Sequence, residues 1–288
     1  MCTIWNHLQG FEFKQTFYDV QGIRTRVIES GSGRPLIFLH GTGGHAEAYL
    51  KNIEAHAQHF HTYAIDMVGH GYSSAPDIDY DMQCYVDFLV DFLDAIGANK
   101  AFISGESLGA SVASWFAIAH PERVIKIVLN TGILLPPSQQ GAVELRDLLR
   151  RSRQAAATPT RSNIRQRLRW LVHREDSITD EIVEARYKIY SQPGRAAVLG
   201  KIAEKSLSAL LEPEDKNKWY GRELLRRISC PSLILWTRFN PGQSAEEASE
   251  GANLIPNCQM VVLENSAHWP QWEEPHEFNR IHIDFLTS

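Results

Sequence analysis

Residues 105–109 read Gly105-Glu106-Ser107-Leu108-Gly109, a GxSxG pentapeptide lying between two apolar runs of different character. Lys100-Ala101-Phe102-Ile103-Ser104 reads as a buried strand, and Ala110 to Ala119 as a helix whose small residues allow it to press closely on a sheet. A strand–turn–helix setting is the one in which the central serine becomes an exposed nucleophile. The turn demands an unusual backbone conformation at Ser107, and the flanking glycines remove side chains that would collide there. The hydroxyl is then presented at the carboxyl edge of the sheet.

A serine hydroxyl is a poor nucleophile at neutral pH and needs a base within hydrogen-bond reach. Of the 12 histidines, His7, His56, His59, His61, His120 and His173 read as surface residues. His268 differs, because it follows the strand-like Gln259 to Glu264, sits in the loop Asn265-Ser266-Ala267-His268-Trp269-Pro270, and precedes a closing helix from Pro275 to Leu286. Nucleophile first and histidine last is a chain order known for serine hydrolysis on an α/β sheet. The loop after the early strand Pro35 to Leu39 reads His40-Gly41-Thr42-Gly43-Gly44, and its glycines let main-chain N–H groups face a small cavity. Acyl transfer needs two such donors around its oxyanion. They are assigned to Thr42 (or Gly41) and Leu108, with Gly41 and Gly43 bordering the substrate. A phosphate-binding turn fits less well, since GTGGH matches neither GxGxxG nor GxxxxGK[ST].

At 288 residues and 43% hydrophobic content, the chain can bury a large core. Its first 130 residues alternate strand and helix patterns: a hairpin over Phe17 to Glu29, strands Leu36 to His40 and Thr62 to Asp66, helices near Glu47 to His56 and over Gln83 to Ile96, then the serine turn and strand Val124 to Asn130. Alternation resumes from Leu233 with a strand to Trp236 and a helix near Ala245 to Leu254. The pattern predicts an α/β fold with a mainly parallel sheet flanked by helices. Residues 1–132 and 228–288 form the two parts of one core, and 133–227, helical without convincing strands, form an inserted lid. Residues 133–228 hold 19 Lys and Arg against 12 Asp and Glu, a surplus of +7 in a chain of net −5, so the remainder carries −12. A basic lid over a pocket would draw in an anionic substrate; the plainer reading is that solvated helices carry arginine. Net acidity and the lack of interleaved aromatics argue against nucleic acid. No apolar stretch reads as a membrane span. Residues 1–7 lack the features of a signal peptide. Cys2, Cys84, Cys230 and Cys258 are scattered without CxxC pairing, which predicts reduced thiols in a cytoplasmic protein and no metal site. A homo-oligomer is compatible with this reading.

The whole chain resembles the α/β-hydrolase fold. Several segments are similar to the meta-cleavage product hydrolases, which cut carbon–carbon bonds in 2-hydroxy-6-oxo-dienoates formed by ring-opening of catechols. These segments are His40 to Gly44, Asp66-Met67-Val68-Gly69-His70-Gly71-Tyr72-Ser73, the GESLG turn and, most specifically, His268-Trp269-Pro270-Gln271-Trp272-Glu273-Glu274-Pro275 with Glu277-Phe278-Asn279-Arg280. The resemblance implies a serine-type hydrolase that needs no cofactor and takes a small anionic organic substrate. It implies that Arg186, within Asp180 to Tyr187, grips the carboxylate end, that Trp269 lines the substrate pocket, and that Trp219 faces the site from the lid. Carboxylesterase or lactonase activity is the alternative on the same fold.

Two departures stand out. Glu106 occupies a position where the family usually has Asn, next to the substrate. The expected triad Asp is Asn240, within Leu235-Trp236-Thr237-Arg238-Phe239-Asn240-Pro241, and the second acid position some α/β-hydrolases use carries Asn130. Asparagine can orient the histidine without stabilising its charge; in a serine protease that swap costs on the order of 10⁴ in turnover. A weakened triad, a substitute acid from Glu106, Glu246 or Glu247, an engineered change, or a binding protein that has lost hydrolysis are the four explanations.

Overall fold

The computed structural model describes residues 4–288, except for the side chains of Trp5 and Asp215; Cys2 therefore lies outside the described residues. Eight strands, β1 (Lys14–Val20), β2 (Ile23–Ser30), β3 (Pro35–Leu39), β4 (His61–Ile65), β5 (Ala101–Glu106), β6 (Val124–Asn130), β7 (Ser232–Thr237) and β8 (Cys258–Leu263), form one sheet. Their spatial order is β1-β2-β4-β3-β5-β6-β7-β8. β2 runs antiparallel to β1 and β4, and every other neighbouring pair is parallel. The central strands are buried almost throughout, as their near-continuous apolar runs require when helices cover both faces. Because these strands are parallel, the loops after β3, β5, β6, β7 and β8 gather at one edge, where ligands bind in open α/β sheets.

Helices α1 (Ile53–Ala57), α2 (Met82–Ala95) and α3 (Leu108–Ala119) cover the sheet in the first half. α3 approaches it closely enough that a Cβ on Gly109 would stand 2.3 Å from the Leu39 carbonyl oxygen, which accounts for glycine there. The stretch expected to be one helix from Glu47 to His56 is instead a 3-10 turn, Ala46–Tyr49, followed by the short α1. Asn52 separates them, its side-chain amide donating to the Gln271 carbonyl and to Asn279 Oδ1. His56 is fully buried, contrary to the surface reading. Its ring bonds the Asn52 carbonyl and His282 Nδ1 inside the core.

Between β6 and β7 lie α4 (Gln139–Ala157), α5 (Arg161–Leu168), α6 (Asp180–Tyr190), α7 (Arg195–Leu211) and α8 (Arg222–Leu225), with no strand among the described residues. Ser138, Thr160 and Thr179 cap α4, α5 and α6, each side chain accepting a main-chain N–H three residues on. α4 and α7 close over a small core of Leu145, Leu148, Leu149, Ala203 and Leu207. Most of this segment's arginines are spent on exposed ion pairs such as Arg153–Glu204, Arg161–Glu184 and Arg165–Asp180. Such pairs contribute about 0–1 kcal/mol each and leave little unpaired surface charge to steer a ligand. α9 (Ala245–Ala252), α10 (Pro270–Glu273) and α11 (Pro275–Thr287) complete the chain. Among the described residues Cys84, Cys230 and Cys258 are free thiols, and no helix is long and apolar enough to cross a membrane.

Candidate active site

Ser107 sits between β5 and α3 with φ 55° and ψ −115°. Holding a non-glycine residue there costs about 1–3 kcal/mol, which the surrounding structure must supply. Its N–H donates to the Asn130 carbonyl, and its own carbonyl accepts from Ala110 and Ser111, so the turn is pinned on both sides. The main-chain N–H groups of Thr42 and Leu108 have no hydrogen-bond partner among the described residues, and both residues border the cavity in front of Ser107.

His268 reaches the same cavity on the loop after β8. Three contacts fix that loop: Thr131 Oγ1 donates to the His268 carbonyl, Thr237 Oγ1 to the Ala267 carbonyl, and the Ala267 N–H to the Glu273 carboxylate. His268 Nδ1 lies 2.7 Å from Asn240 Oδ1. Asn240 Nδ2 donates to the Gln243 carbonyl at 2.8 Å, and a carbonyl can only accept. The amide is therefore turned with its oxygen toward the ring, Nδ1 carries the proton, and Nε2 keeps a bare lone pair. Asn240 thus selects the tautomer of a base without supplying charge. Asn130, by contrast, donates to Gln271 Oε1 inside the fold.

The substitute acids resolve differently. Glu247 caps α9 with Ser244 and accepts from the Ser138 N–H, and Glu246 is solvated on the same helix, so neither meets His268. Glu106 does, but on the other nitrogen: Oε1 lies 3.4 Å from His268 Nε2, while Oε2 accepts from the Gly41 N–H at 2.6 Å. No hydrogen bond joins Ser107 Oγ to His268 among the described residues, and Glu106 faces the nitrogen that a serine proton would have to reach. Burial pushes the Glu106 carboxyl up to about 7, against the pull of the Gly41 N–H, Arg167, Arg186 and the Trp269 side chain. Burial, aided by Arg167, pushes the His268 imidazole down to about 3.

A folded-state carboxyl raised above its ordinary 4.5 contributes stability at low pH that is lost as the pH climbs through about 7. Glu106→Gln, which keeps an acceptor for Gly41, is therefore expected to stabilise the fold by about 2 to 3 kcal/mol more at pH 8 than at pH 5. Urea unfolding of both proteins at the two pH values measures this. An equal effect at both would show that Glu106 does not titrate between them.

Beside Ser107 lie two connected spaces. The larger runs under α4 and α7 past Leu145, Leu148, Leu207 and Tyr220. The smaller is narrow and is walled by Gly41, Glu106, Trp269, Arg167 and Arg186. Both guanidiniums are buried. Arg186 leaves Nε and Nη1, and Arg167 leaves Nη1, without any hydrogen-bond partner. Arg186 also faces the Trp269 ring, 5.4 Å from its centroid. Arg167 spends Nε on Ser152 Oγ and Nη2 on the Thr42 carbonyl, and the guanidinium N–H groups left unpaired on both side chains are costly to bury. Arg167 was not anticipated from the sequence, nor was Trp170, which borders both spaces and packs edge-on against His268 at 4.8 Å.

Two expected residues stand elsewhere. Gly43 uses its carbonyl to accept from Tyr190 Oη and does not border the space at Ser107. Trp219 packs edge-on against Trp115 at 5.2 Å and accepts that indole's N–H at its carbonyl, which holds it in a neighbouring groove with Tyr80 and Lys205 instead of beside Ser107. Among the described residues no group of three or more His, Cys, Asp or Glu side chains could hold a metal ion.

The family model of the alpha/beta hydrolase fold matches residues 34–275. The 2-hydroxymuconate semialdehyde hydrolase of Pseudomonas putida is 28% identical over 276 residues, covering 93% of this chain and 92% of that protein. The 2-hydroxy-6-oxo-6-(2'-aminophenyl)hexa-2,4-dienoic acid hydrolase of Metapseudomonas resinovorans is 24% identical, covering 96% and 91%. Among solved structures, a variant of the meta-cleavage product hydrolase from Pseudomonas fluorescens, complexed with acetates, superposes with a TM-score of 0.78 at 25% identity, over 94% of this chain and 97% of that one. The chain belongs to the α/β-hydrolase fold family, and it is an enzyme of that type with carbon–carbon bond hydrolases among its relatives.

Proposed function

We propose that the protein hydrolyses a carbon–carbon bond in an anionic 2-hydroxy-6-oxo-dienoate-like product of aromatic ring cleavage. The observation that carries this reading is a set of unpartnered guanidinium nitrogens, Nε and Nη1 of Arg186 and Nη1 of Arg167, on two buried side chains that line the space bordered by Ser107 and His268. A carboxylate there gains bidentate, charge-assisted hydrogen bonds. The relatives named for a hexa-2,4-dienoic acid and for 2-hydroxymuconate semialdehyde agree with it. In this reading His268 Nε2 takes the dienol proton and returns it to carbon, giving the keto form. Ser107, or a water it positions, then attacks the distal ketone and gives its proton to His268 Nε2 while the Thr42 and Leu108 N–H groups hold the oxyanion. The adjacent carbon–carbon bond breaks, the leaving carbon keeps the electron pair and takes the proton from His268, and where the serine attacked, water releases the acyl group as a carboxylic acid. The segment 133–227 acts as a lid that brings Arg167, Trp170 and Arg186 over the serine.

Loss of the dienoate's yellow absorbance on adding enzyme tests the reaction directly. Turnover of p-nitrophenyl esters alone would favour the esterase alternative. Arg186→Gln is expected to weaken productive binding of the dienoate by about 1.5 to 3 kcal/mol, the worth of a hydrogen bond to a charged group, while sparing neutral esters. Equal losses on both substrate types would mean that Arg186 supports the segment's fold instead.

A further inference from the structure

Two cations and one carboxylate share the small space beside Ser107. Glu106 is 2% exposed. The groups that face it come from every element packed around it. They are the Gly41 N–H from the loop after β3, His268 and Trp269 from the loop after β8, Arg167 from α5, Arg186 from α6, and the Tyr49 phenol, whose proton donates to the Leu39 carbonyl. Yet Glu106 satisfies none of the three orphaned guanidinium nitrogens, Arg167 Nη1 and Arg186 Nε and Nη1, whose side chains line the space. The site therefore already holds an anion near its cations and still has donors for a second.

We propose that Glu106 is a resident carboxylate which takes up a proton when the substrate's carboxylate enters between Arg167 and Arg186, so that anion binding is linked to proton uptake at this one residue. The inference rests on the carboxylate-binding reading above. Two carboxylates in one dry space cannot both stay ionised without strong mutual repulsion, and the one with the weaker hold on cations takes the proton. Glu106 is that one, since the incoming group takes the free guanidinium N–H groups. Its carboxyl lies near 7 before a ligand arrives, so the coupling falls within ordinary working pH. His268 is held neutral and the Tyr49 phenol protonated across the same range, so neither competes for the proton. Protonated Glu106 retains an acceptor oxygen for the Gly41 N–H. A glutamine at this position makes contacts of the same shape but cannot take up the proton. Glu106 thus sets a preference for binding at low pH that a neutral amide lacks.

Benzoate serves as the probe and benzamide as its uncharged counterpart, with binding measured calorimetrically on the intact protein in two buffers of different ionisation enthalpy. Proton uptake with benzoate is expected to rise from near zero at about pH 6 toward about one at pH 8, and its Kd to rise about tenfold over that span. Benzamide should show neither effect, and Glu106→Gln should bind benzoate with pH-independent affinity. Benzoate binding with a flat Kd and no proton uptake in the unmodified protein overturns this proposal while leaving the carboxylate site standing. No benzoate binding at any pH overturns the carboxylate site, and this proposal with it.

Discussion

Ser107→Ala is expected to lower steady-state turnover of a dienoate substrate by at least about 10³-fold while leaving its binding intact. Alanine is no worse suited than serine to the φ of 55° at this turn, and the main-chain bonds that pin it, from the Ser107 N–H to Asn130 and from Ala110 and Ser111 to the Ser107 carbonyl, do not involve the hydroxyl. The variant should therefore melt at the unaltered temperature. The arginine pair and the two free N–H groups remain, so the dienoate still enters and His268 still moves the dienol proton. Stopped-flow absorbance should show a rapid spectral change without bond cleavage. His268→Ala should abolish that first change as well, because Nε2 carries a lone pair that is held ready by a fixed tautomer. Near-normal steady-state rates in either variant would remove Ser107 and His268 from the roles given to them.

The residues that make this site differ in how far the sequence exposes them. The serine turn is legible because its chemistry is local: five consecutive residues, a strand before and a helix after, and glycines where a Cβ would collide. The histidine loop is legible from chain order. Arg186 comes through the family resemblance, but it also carries a physical signal, shared by the unanticipated Arg167. Ile164, Arg167, Leu168 and Leu171 fall on one face at helical spacing, as do Ile182, Val183, Arg186, Ile189 and Tyr190, and those faces are buried. An arginine set into an apolar stripe must find an anion or a carbonyl in the interior. The surrounding surface arginines hid this, since the surplus of positive charge drew attention to the segment as a whole while the informative residues were two of its many cations.

Other features depend on packing that no local pattern encodes. Trp219 has the residue type expected of a pocket wall, but Trp115 on α3 claims its ring. The break between Ala46–Tyr49 and α1 follows from Asn52 reaching residues more than two hundred positions away. The sense of the Asn240 amide depends on the Gln243 carbonyl, a main-chain group whose direction is set by the loop after β7. Sequence reasoning could name Asn240 as the residue at the acid position, but not which of its two ends faces the ring.

Asn240→Asp is expected to raise turnover by up to about 10⁴-fold while lowering the stability of the fold, and that loop decides the second effect. A carboxylate opposite Nδ1 would stabilise the imidazolium as a proton reaches Nε2; in a serine protease the presence of that charge is worth on the order of 10⁴, or about 5.5 kcal/mol. Against it stands the Gln243 carbonyl, 2.8 Å from the atom that now donates to it. With Asp at 240 no donor remains there, and a buried carbonyl left unsatisfied costs about 1–3 kcal/mol. That cost is borne by the ground state and the transition state alike, so it lowers the variant's stability and not its rate. The same carboxylate raises the His268 pKa from its depressed value, so the acid limb of the kcat/KM profile should move to higher pH. Removing the side chain gives the opposite test. Asn240→Ala frees the imidazole to carry its proton on either nitrogen, and turnover should fall below that of the native enzyme although no charge has been lost. If Asn240→Asp leaves both the rate and the acid limb where they were, Asn240 does not act through His268, and the 2.7 Å contact between them is only a structural bond.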